Sequence, residues 1–181
     1  MNGPPGVGKS AVASRYAEDH PLTLHLEIDA IRMSLGGWEE HEESKLLARA
    51  LAVAMAEEHL SGGNDVIVAQ YLGRTEFIET LDRIAQRLGI SFVEILLMHT
   101  QAAVVDRFRA RRIALAATDR SHPEGDVDES TVSEAISTSF ERLEEVKAAR
   151  AHTHVISAAD GTETSYRALC QALSSTDPSV P

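Results

Sequence analysis

The residues best suited to chemistry lie at the start of the chain, where Gly3, Gly6, Gly8, Lys9 and Ser10 give the pattern G-x-x-x-x-G-K-S. Glycine permits backbone angles that turn successive N–H groups inward around an anion. A helix that begins near the lysine adds free N–H groups and the positive end of its dipole. The pattern predicts a phosphate-binding loop, in which the lysine holds the β- and γ-phosphate oxygens of a nucleotide and the serine hydroxyl binds magnesium.

We call residues 3–10 the P-loop, and all of them are candidate nucleotide ligands: Gly3, Pro4, Pro5, Gly6, Val7, Gly8, Lys9 and Ser10. The alternative is a glycine-rich turn that binds nothing, which this spacing of specific residue types disfavours. Residues 9–19 are predicted to form the helix that follows. A P-loop normally follows a strand, but only Met1 and Asn2 precede it here. We therefore expect the first strand to be missing or truncated, and we favour a start downstream of the natural one over a sheet that closes in another way.

Beyond the P-loop, strand and helix patterns alternate along the chain. Strands are predicted at 22–28, 66–68, 90–98 and 154–157, and helices at 41–60, 78–88, 102–113, 132–146 and 162–173. This alternation predicts a three-layer α/β/α fold with a parallel sheet. We expect a single domain over residues 1–173, with a polar lid at about 114–130 and a disordered tail at 174–181.

Ligands of such folds bind beyond the carboxyl ends of the strands, so polar residues at those ends are candidates for catalysis. Asp29 ends the strand predicted at 22–28. Its carboxylate could accept a proton from an attacking hydroxyl, hold magnesium through water, or cap the helix that follows. Glu27, on the same strand face, is a weaker alternative. Arg32 is a candidate for holding a substrate anion or supporting the aspartate.

Gln70 follows the apolar strand pattern at 66–68, where many P-loop proteins carry an acidic residue. Motor ATPases need that acid to organise magnesium and water, so the glutamine argues against a motor. We expect Gln70 to contact the acceptor substrate instead. Tyr71 and Arg74 are expected to line the same pocket, with a solvated position at the start of the next helix as the alternative for Arg74.

An arginine-rich helix is predicted before the lid. Arg107 and Arg111 are four residues apart and share one helical face, so they are candidates for neutralising phosphate charge during transfer. The alternative is a solvated helix face paired with Asp106 and other acids. The polar stretch at 114–130 would then close over the site and exclude water.

Composition excludes several classes of function. The chain has 181 residues, with 17 basic and 28 acidic side chains and a net charge of -11, which disfavours a nucleic-acid or anionic-membrane partner. The one cysteine, Cys170, excludes an intrachain disulfide and a cysteine zinc cluster. No apolar run approaches the roughly 20 residues that span a bilayer. We expect a cytoplasmic protein.

Taken in order, the P-loop, the D-x-x-R of Asp29 and Arg32, the strand followed by Arg74, and the R-x-x-x-R of Arg107 and Arg111 resemble the P-loop kinases, which have the P-loop NTPase fold. Similar members are small-molecule phosphotransferases such as chloramphenicol phosphotransferase and gluconate kinase, the kinase domain of polynucleotide kinase, and the bacterial ATP-binding proteins called AAA domains. The resemblance spans about residues 3–158. It implies ATP and Mg²⁺ as cofactors and Asp29 as general base. It also implies that Arg32 and Arg74 lie on the substrate side, with Arg107 and Arg111 as lid arginines near the phosphates or the adenine.

The leading hypothesis is a phosphotransferase that moves the γ-phosphate of ATP to a hydroxyl of a small-molecule acceptor. The alternatives are a nucleotide-binding regulatory ATPase or switch, a polynucleotide 5′-hydroxyl kinase, and a P-loop protein without activity. The absence of an N-K-x-D element weakens a GTPase. The acceptor, the choice of ATP or GTP, and the oligomeric state are not predicted by the sequence.

Overall fold

A computed structural model of the chain describes residues 1–117 and 128–176. Seven helices and four strands are placed in these ranges. The helices are α1 (Lys9–Asp19), α2 (Ile28–Met33), α3 (Ser44–Ser61), α4 (Glu76–Leu88), α5 (Gln101–Ala116), α6 (Val132–Ala149) and α7 (Gly161–Thr176). The strands are β1 (Leu24–Leu26), β2 (Val66–Val68), β3 (Ile95–Met98) and β4 (His154–Ser157), and a 3₁₀ turn at Glu129–Thr131 precedes α6.

All strand pairs are parallel, as the alternation of strands and helices requires. β1 pairs with β2, with Leu24 opposite Val66, and β3 pairs with β4, with Ile95 opposite His154. Helices α1 and α7 pack together and contact the strands, while α3 packs on α4 and contacts β1 and β2. The architecture is therefore the predicted α/β fold with parallel strands.

Met1 and Asn2 lie between the two strand pairs and join them. The amino terminus donates to the Val68 carbonyl at 2.7 Å, and the Gln70 N–H donates back to the Met1 carbonyl at 3.2 Å. On the other side, the Asn2 N–H donates to the Ile95 carbonyl at 2.7 Å. Met1 and Asn2 thus take the position between β2 and β3, through hydrogen bonds to both strand pairs.

A large cavity continues from Met1 between β2 and β3, on the side away from the P-loop. It encloses about 870 Å³ and is lined mainly by apolar side chains of α3, α4, β3 and α7, among them Ala56, Ala85 and Leu169. Because side chains normally fill protein interiors to the density of organic crystals, this space sets the middle of the sheet apart from the rest of the core.

Strands β2 and β4 have the predicted bounds, whereas β1 and β3 are shorter than predicted. β1 starts at Leu24 and ends at Leu26, so Asp29 lies in the first turn of α2 and does not end a strand. Residues 90–94, predicted as the first part of a strand, lie before β3, which begins only at Ile95. In both places the pattern of apolar residues is longer than the hydrogen-bonded part of the strand. An apolar side chain can pack beside a strand although its own backbone does not pair with the neighbouring strand.

Helix α3 turns a different face inward than its large apolar residues suggest. Ala48, Ala52 and Ala56 are buried, and the first two pack on Ile28 of α2. The larger residues point outward, with exposed fractions of 69% for Leu46 and 56% for Leu47. Only small side chains fit where α2 and α3 approach closely.

Most predicted helices differ from the observed ones by a few residues at their ends, and two of these differences bear on the predicted lid and tail. Helix α5 continues through Ala116, so it includes the first residues assigned to the lid, and the lid's last residues lie in the 3₁₀ turn. Helix α7 continues to Thr176, so residues 174–176 are helical and not tail. Residues 118–127 of the predicted lid and 177–181 of the tail lie outside the described ranges. Among the described residues, no helix combines the length and apolar character needed to cross a bilayer.

Candidate active site

The P-loop is shaped by glycines packed against the main chain of neighbouring elements. Gly3 has φ +151°, and a Cβ there would collide with the Leu97 carbonyl oxygen of β3. Gly6 has φ +78°, and its Cβ would lie 3.1 Å from the backbone N and Cα of Phe108 in α5. Gly3 and Gly6 are therefore required both for backbone angle and for close approach.

Lys9 and Ser10 form the first turn of α1, at the mouth of the loop. Lys9 is 9% exposed, and its ammonium donates to the carbonyls of Gly3 at 2.9 Å and Pro4 at 3.0 Å. Its charge thus lies against the loop backbone. The free N–H groups of the first turn of α1 point to the same place.

Asn2, which no sequence pattern marks as a site residue, fixes the P-loop to the segment after β2. Its buried side-chain oxygen accepts from the N–H groups of Gly3 and Leu72, both at 2.8 Å, and its amide N donates to the Leu72 carbonyl at 2.8 Å. The only sequence signal was its position directly before the motif. This side chain holds the P-loop and the Gln70-to-Arg74 segment in one register.

Asp29 and Gln70 meet at the carboxyl edge of β1 and β2. The Gln70 amide donates to the Asp29 carboxylate at 3.4 Å, and the Gln70 backbone is bonded to Met1. Asp29 does not cap its helix, because the residue at the N-cap of α2 is Glu27. The structure therefore brings two predicted site residues together and connects them to the start of the P-loop by two hydrogen-bonded steps.

Arg32 faces the α2–α3 connection. Its Nε donates to the Ser44 hydroxyl at 2.9 Å, and its guanidinium stacks on the Trp38 ring with 4.8 Å to the centroid. Trp38 is itself 9% exposed. In the described structure these contacts make Arg32 a support for the α2–α3 connection, on which Asp29 also sits.

Arg74 is exposed and lies two residues before α4, after the same segment that Asn2 holds. Among the described residues it has no ion-pair partner in the structure. Its side chain is accessible to a ligand at the edge of β2.

The arginines of α5 divide into two groups. Arg107 donates to the Val7 carbonyl of the P-loop at 3.3 Å and to the Ala158 carbonyl after β4 at 3.4 Å. Arg109 and Arg112 instead pair with Glu129, at 2.7 and 2.9 Å. The interpretation as a helix face paired with acids therefore holds for these two, whereas Arg107 reaches the loop, and the exposed Arg111 is one turn farther along the helix.

Tyr71 and Arg142 lie beside the loop on its α6 side, in a pocket that also includes Pro5. Burial raises the pKa of Tyr71, and the nearby Arg142 guanidinium acts in the opposite direction by its charge and its hydrogen bond. No sequence pattern identifies Arg142, because a single arginine on an amphipathic helix gives no signal beyond that of a solvated face.

The oxygen donors present suit magnesium. The Ser10 hydroxyl and the Asp29 carboxylate are hard ligands, and Mg²⁺ in kinase sites is held by one or two such groups together with substrate phosphates and water. The described residues contain no cluster of three or more His, Cys, Asp or Glu side chains that would hold a metal ion by themselves. A metal that arrives with the nucleotide fits this donor set.

Comparisons with known proteins agree with this geometry. A family model described as an AAA domain matches residues 1–138. No curated protein matches the chain significantly.

Solved structures match over nearly the whole chain. A gluconokinase from Sinorhizobium meliloti 1021 has a TM-score of 0.61 at 19% identity, covering 96% of this chain and 89% of that one. A tunicamycin resistance protein from Deinococcus radiodurans has a TM-score of 0.53 at 18% identity, covering 96% and 91%. A deoxyadenosine kinase from M. mycoides, with products bound, has a TM-score of 0.52 at 13% identity, covering 96% of each chain.

The identities show a shared fold, and the family match covers most of the chain, including the P-loop, Asp29, Gln70 and the α5 arginines. With its glycine-constrained loop, buried lysine and parallel sheet, this chain belongs to the AAA-domain family and has the fold of the P-loop kinases.

Proposed function

We propose that the protein transfers the γ-phosphate of ATP to a hydroxyl group of a small-molecule acceptor. The observation that carries the proposal is the connection between the P-loop, where Lys9 is buried, and the Asp29–Gln70 pair, through Asn2 and Met1. Gluconokinase and deoxyadenosine kinase, which share the fold, are kinases by name.

The P-loop N–H groups, the Lys9 ammonium and the first turn of α1 would bind the triphosphate. Ser10 would hold Mg²⁺, which neutralises phosphate charge when bound. Arg107, which contacts the Val7 carbonyl, and Arg111 would add positive charge on the α5 side. Water exclusion would strengthen each of these interactions.

Asp29 acts on the acceptor side of the reaction. As the acceptor oxygen forms its bond to the γ-phosphorus, the bond from that phosphorus to the bridging oxygen breaks and ADP leaves. The acceptor's hydroxyl proton passes to the Asp29 carboxylate, which Gln70 orients from 3.4 Å. Arg74, exposed at the same edge, would bind an anionic group of the acceptor.

The test compares Lys9→Ala and Asp29→Asn with the unaltered protein in ATP binding by calorimetry and in ADP release across an acceptor panel. We expect Lys9→Ala to weaken ATP binding about tenfold or more. Asp29→Asn should lower the transfer rate about 10²- to 10⁴-fold while ATP affinity stays within about threefold.

Asp160→Asn is the matched control, since it also removes a carboxylate but from an exposed position after β4. Full transfer by Asp29→Asn would refute the general-base role. Failure of the folded protein to bind magnesium–ATP would refute the proposal as a whole. ATP turnover that no acceptor stimulates would favour the regulatory switch.

A further inference from the structure

A pocket opens between the P-loop and the helix that follows the lid. It encloses about 510 Å³ and is lined by Pro5 of the P-loop, Tyr71 after β2, Phe108 of α5 and the α6 residues Ile136, Ser139 and Arg142. Its position follows from the fold, because α5 packs on α6 and Phe108 packs on Gly6. The pocket thus begins at the P-loop backbone itself.

The same pocket adjoins the segment that follows β2. Tyr71, which lines the pocket, directly follows Gln70, whose amide contacts Asp29. The next residue, Leu72, is held to Asn2 by two hydrogen bonds of 2.8 Å. A molecule in the pocket would therefore contact both the P-loop, through Pro5, and the segment that carries Gln70.

The pocket walls are largely apolar. Phe108 and Ile136 are 4% and 1% exposed. The Ser139 hydroxyl donates to the Ile136 carbonyl at 2.6 Å, so its proton is not available to a ligand. Thr131 and Thr138 also line the pocket, and the Thr131 hydroxyl donates to the Asp128 carbonyl at 2.9 Å. A ligand rich in hydroxyl groups would therefore replace few of the hydrogen bonds to water that it loses on entry. The walls favour a ligand with an apolar body.

Two hydrogen-bond donors converge at one end of the pocket, Tyr71 and Arg142. A Cβ at Gly73 would lie 2.6 Å from the Tyr71 hydroxyl and 3.2 Å from the Arg142 Cδ, so only glycine leaves room for both side chains here. Burial keeps the pKa of Tyr71 above its usual value, so the phenol keeps its proton at neutral pH. A carboxylate or carbonyl is the group that a phenol O–H and a guanidinium bind together.

Glu134 is the acidic residue of the pocket, and it is exposed two helical turns before Arg142. Their separation of eight residues corresponds to about 12 Å along the helix. The negative charge thus lies at the far rim, where it discourages a ligand from binding with its carboxylate reversed.

We propose that this pocket binds the phosphate acceptor, and that the acceptor is a hydroxylated molecule with an apolar, ring-sized body and a carboxylate or carbonyl bound by Tyr71 and Arg142. The inference rests on the proposed function and names its substrate class. It distinguishes this chain from an enzyme for sugar acids, whose many hydroxyl groups need polar walls.

The experiment uses three probes with the full chain. The probe 3-hydroxy-3-phenylpropanoate has the ring, the hydroxyl and the carboxylate; 1-phenylpropan-1-ol lacks only the carboxylate; gluconate has the carboxylate and hydroxyls without the ring. Binding is measured by ligand-observed NMR and calorimetry with magnesium–ADP, and transfer by ADP release with magnesium–ATP. We expect the phenyl acid to bind at least about tenfold tighter than either other probe.

Variants separate the pocket's role from general effects. Arg142→Gln should weaken the phenyl acid about tenfold and leave the alcohol unchanged, and Arg142→Lys should restore part of the loss. Tyr71→Phe should weaken the phenyl acid about threefold to tenfold. Arg167→Gln, which removes an exposed arginine on α7, is the matched control.

Each other outcome overturns the inference. Gluconate binding as tightly as the phenyl acid would show that the apolar walls do not select the acceptor. Binding of the phenyl acid that Arg142→Gln leaves unchanged would show that it binds elsewhere. No binding of the phenyl acid, with normal ATP binding, would refute the substrate class and leave the proposed function standing, whereas loss of ATP binding would refute the proposed function itself.

Discussion

The space between β2 and β3 is packed very differently on the two sides of Met1 and Asn2. On the side of the P-loop, Gly3 lies against the Leu97 carbonyl, and Gly6 lies against the α5 backbone. The side-chain oxygen and nitrogen of Asn2 are both hydrogen-bonded there. At the other end, beyond Met1, the space between β2 and β3 is a cavity of about 870 Å³. The candidate site is thus held by local contacts of a few residues and not by a long central strand.

The largest effect is expected from Gly3→Ala at the tightly packed end. The new Cβ would collide with the Leu97 carbonyl, and the residue has φ +151°, so both strain and displacement of β3 destabilise the fold. We expect the free energy of unfolding to fall by about 3 kcal/mol or more, measured by urea denaturation.

Gly63→Ala is the matched control, since Gly63 also has a positive φ, +79°, but a Cβ there meets nothing within 4 Å. It should cost only the backbone strain, about 1 kcal/mol. Equal losses for the two variants would show that the packing at Gly3 contributes nothing.

Asn2→Ala should come next in size. It removes three buried hydrogen bonds and leaves the Leu72 N–H and carbonyl and the Gly3 N–H without their partner. We expect a loss of about 2 kcal/mol in unfolding free energy and a weaker ATP affinity, because the loop is no longer held in register. Asn64→Ala, which removes one weak 3.5 Å contact, should change stability by less than about 0.5 kcal/mol.

The Met1 amine, which lies between the P-loop and the cavity, predicts that the free energy of unfolding depends on pH. Burial and the Lys9 charge lower the pKa of the Met1 amine from 8.0 to about 5, partly offset by Glu94. As the pH falls from 8 to 5, the unfolded chain takes up a proton that the folded chain does not. The free energy of unfolding should therefore decrease across this range, and level off below it.

Because the adjoining cavity is large enough to admit water, we expect this decrease to be about 1–2 kcal/mol, smaller than full burial would give. The matched sample is the same protein acetylated at Met1, which keeps an N–H for the Val68 carbonyl but carries no charge. In the acetylated protein, the free energy of unfolding should not show this decrease between pH 8 and 5. Urea denaturation at several pH values measures it for both samples. Identical pH profiles for the two samples would contradict the assignment.

The smallest effect is expected from filling the cavity. Ala56 and Ala52 are both 1% exposed on the same helix, but only Ala56 lines the cavity, whereas Ala52 packs on the Ile28 cluster. Ala56→Leu should raise the unfolding free energy by about 0.5 kcal/mol, and Ala52→Leu should lower it by about 1–3 kcal/mol through overpacking. Thermal melting of the two variants checks the difference, and equal losses would mean that the cavity does not accept side chains.

Sequence patterns were sufficient where one local rule governs the structure. The P-loop glycines and the helix at Lys9–Asp19 follow from backbone angle and spacing, and the helix predicted at 78–88 ends at Gly89, whose φ of +69° is one that glycine adopts readily. The parallel fold followed from alternation. These features depend on residues near each other in the chain.

Sequence patterns were insufficient where contacts between elements distant in the chain determine which side chains are buried or lie at the site. Apolar spacing marked α3 as a helix but did not show that Ala48 and Ala52, not Leu46 and Leu47, face the core, because the close approach of α2 selects small residues. The roles of Asn2 and Arg142 depend on contacts across some 70 residues of sequence, such as the bond from Asn2 to Leu72. The roles of Asp29, Gln70, Arg74 and the α5 arginines stay predictions, although the structure places Asp29 beside Gln70.

Helix α5 meets the P-loop through Phe108 against Gly6 and through Arg107 to the Val7 carbonyl. Its first two turns therefore support the P-loop from outside the motif. We expect a cavity-forming substitution at Val104, which is fully buried on the same helix, to alter the shape of the P-loop, whereas a polar substitution at the exposed Ile113 should leave it unchanged.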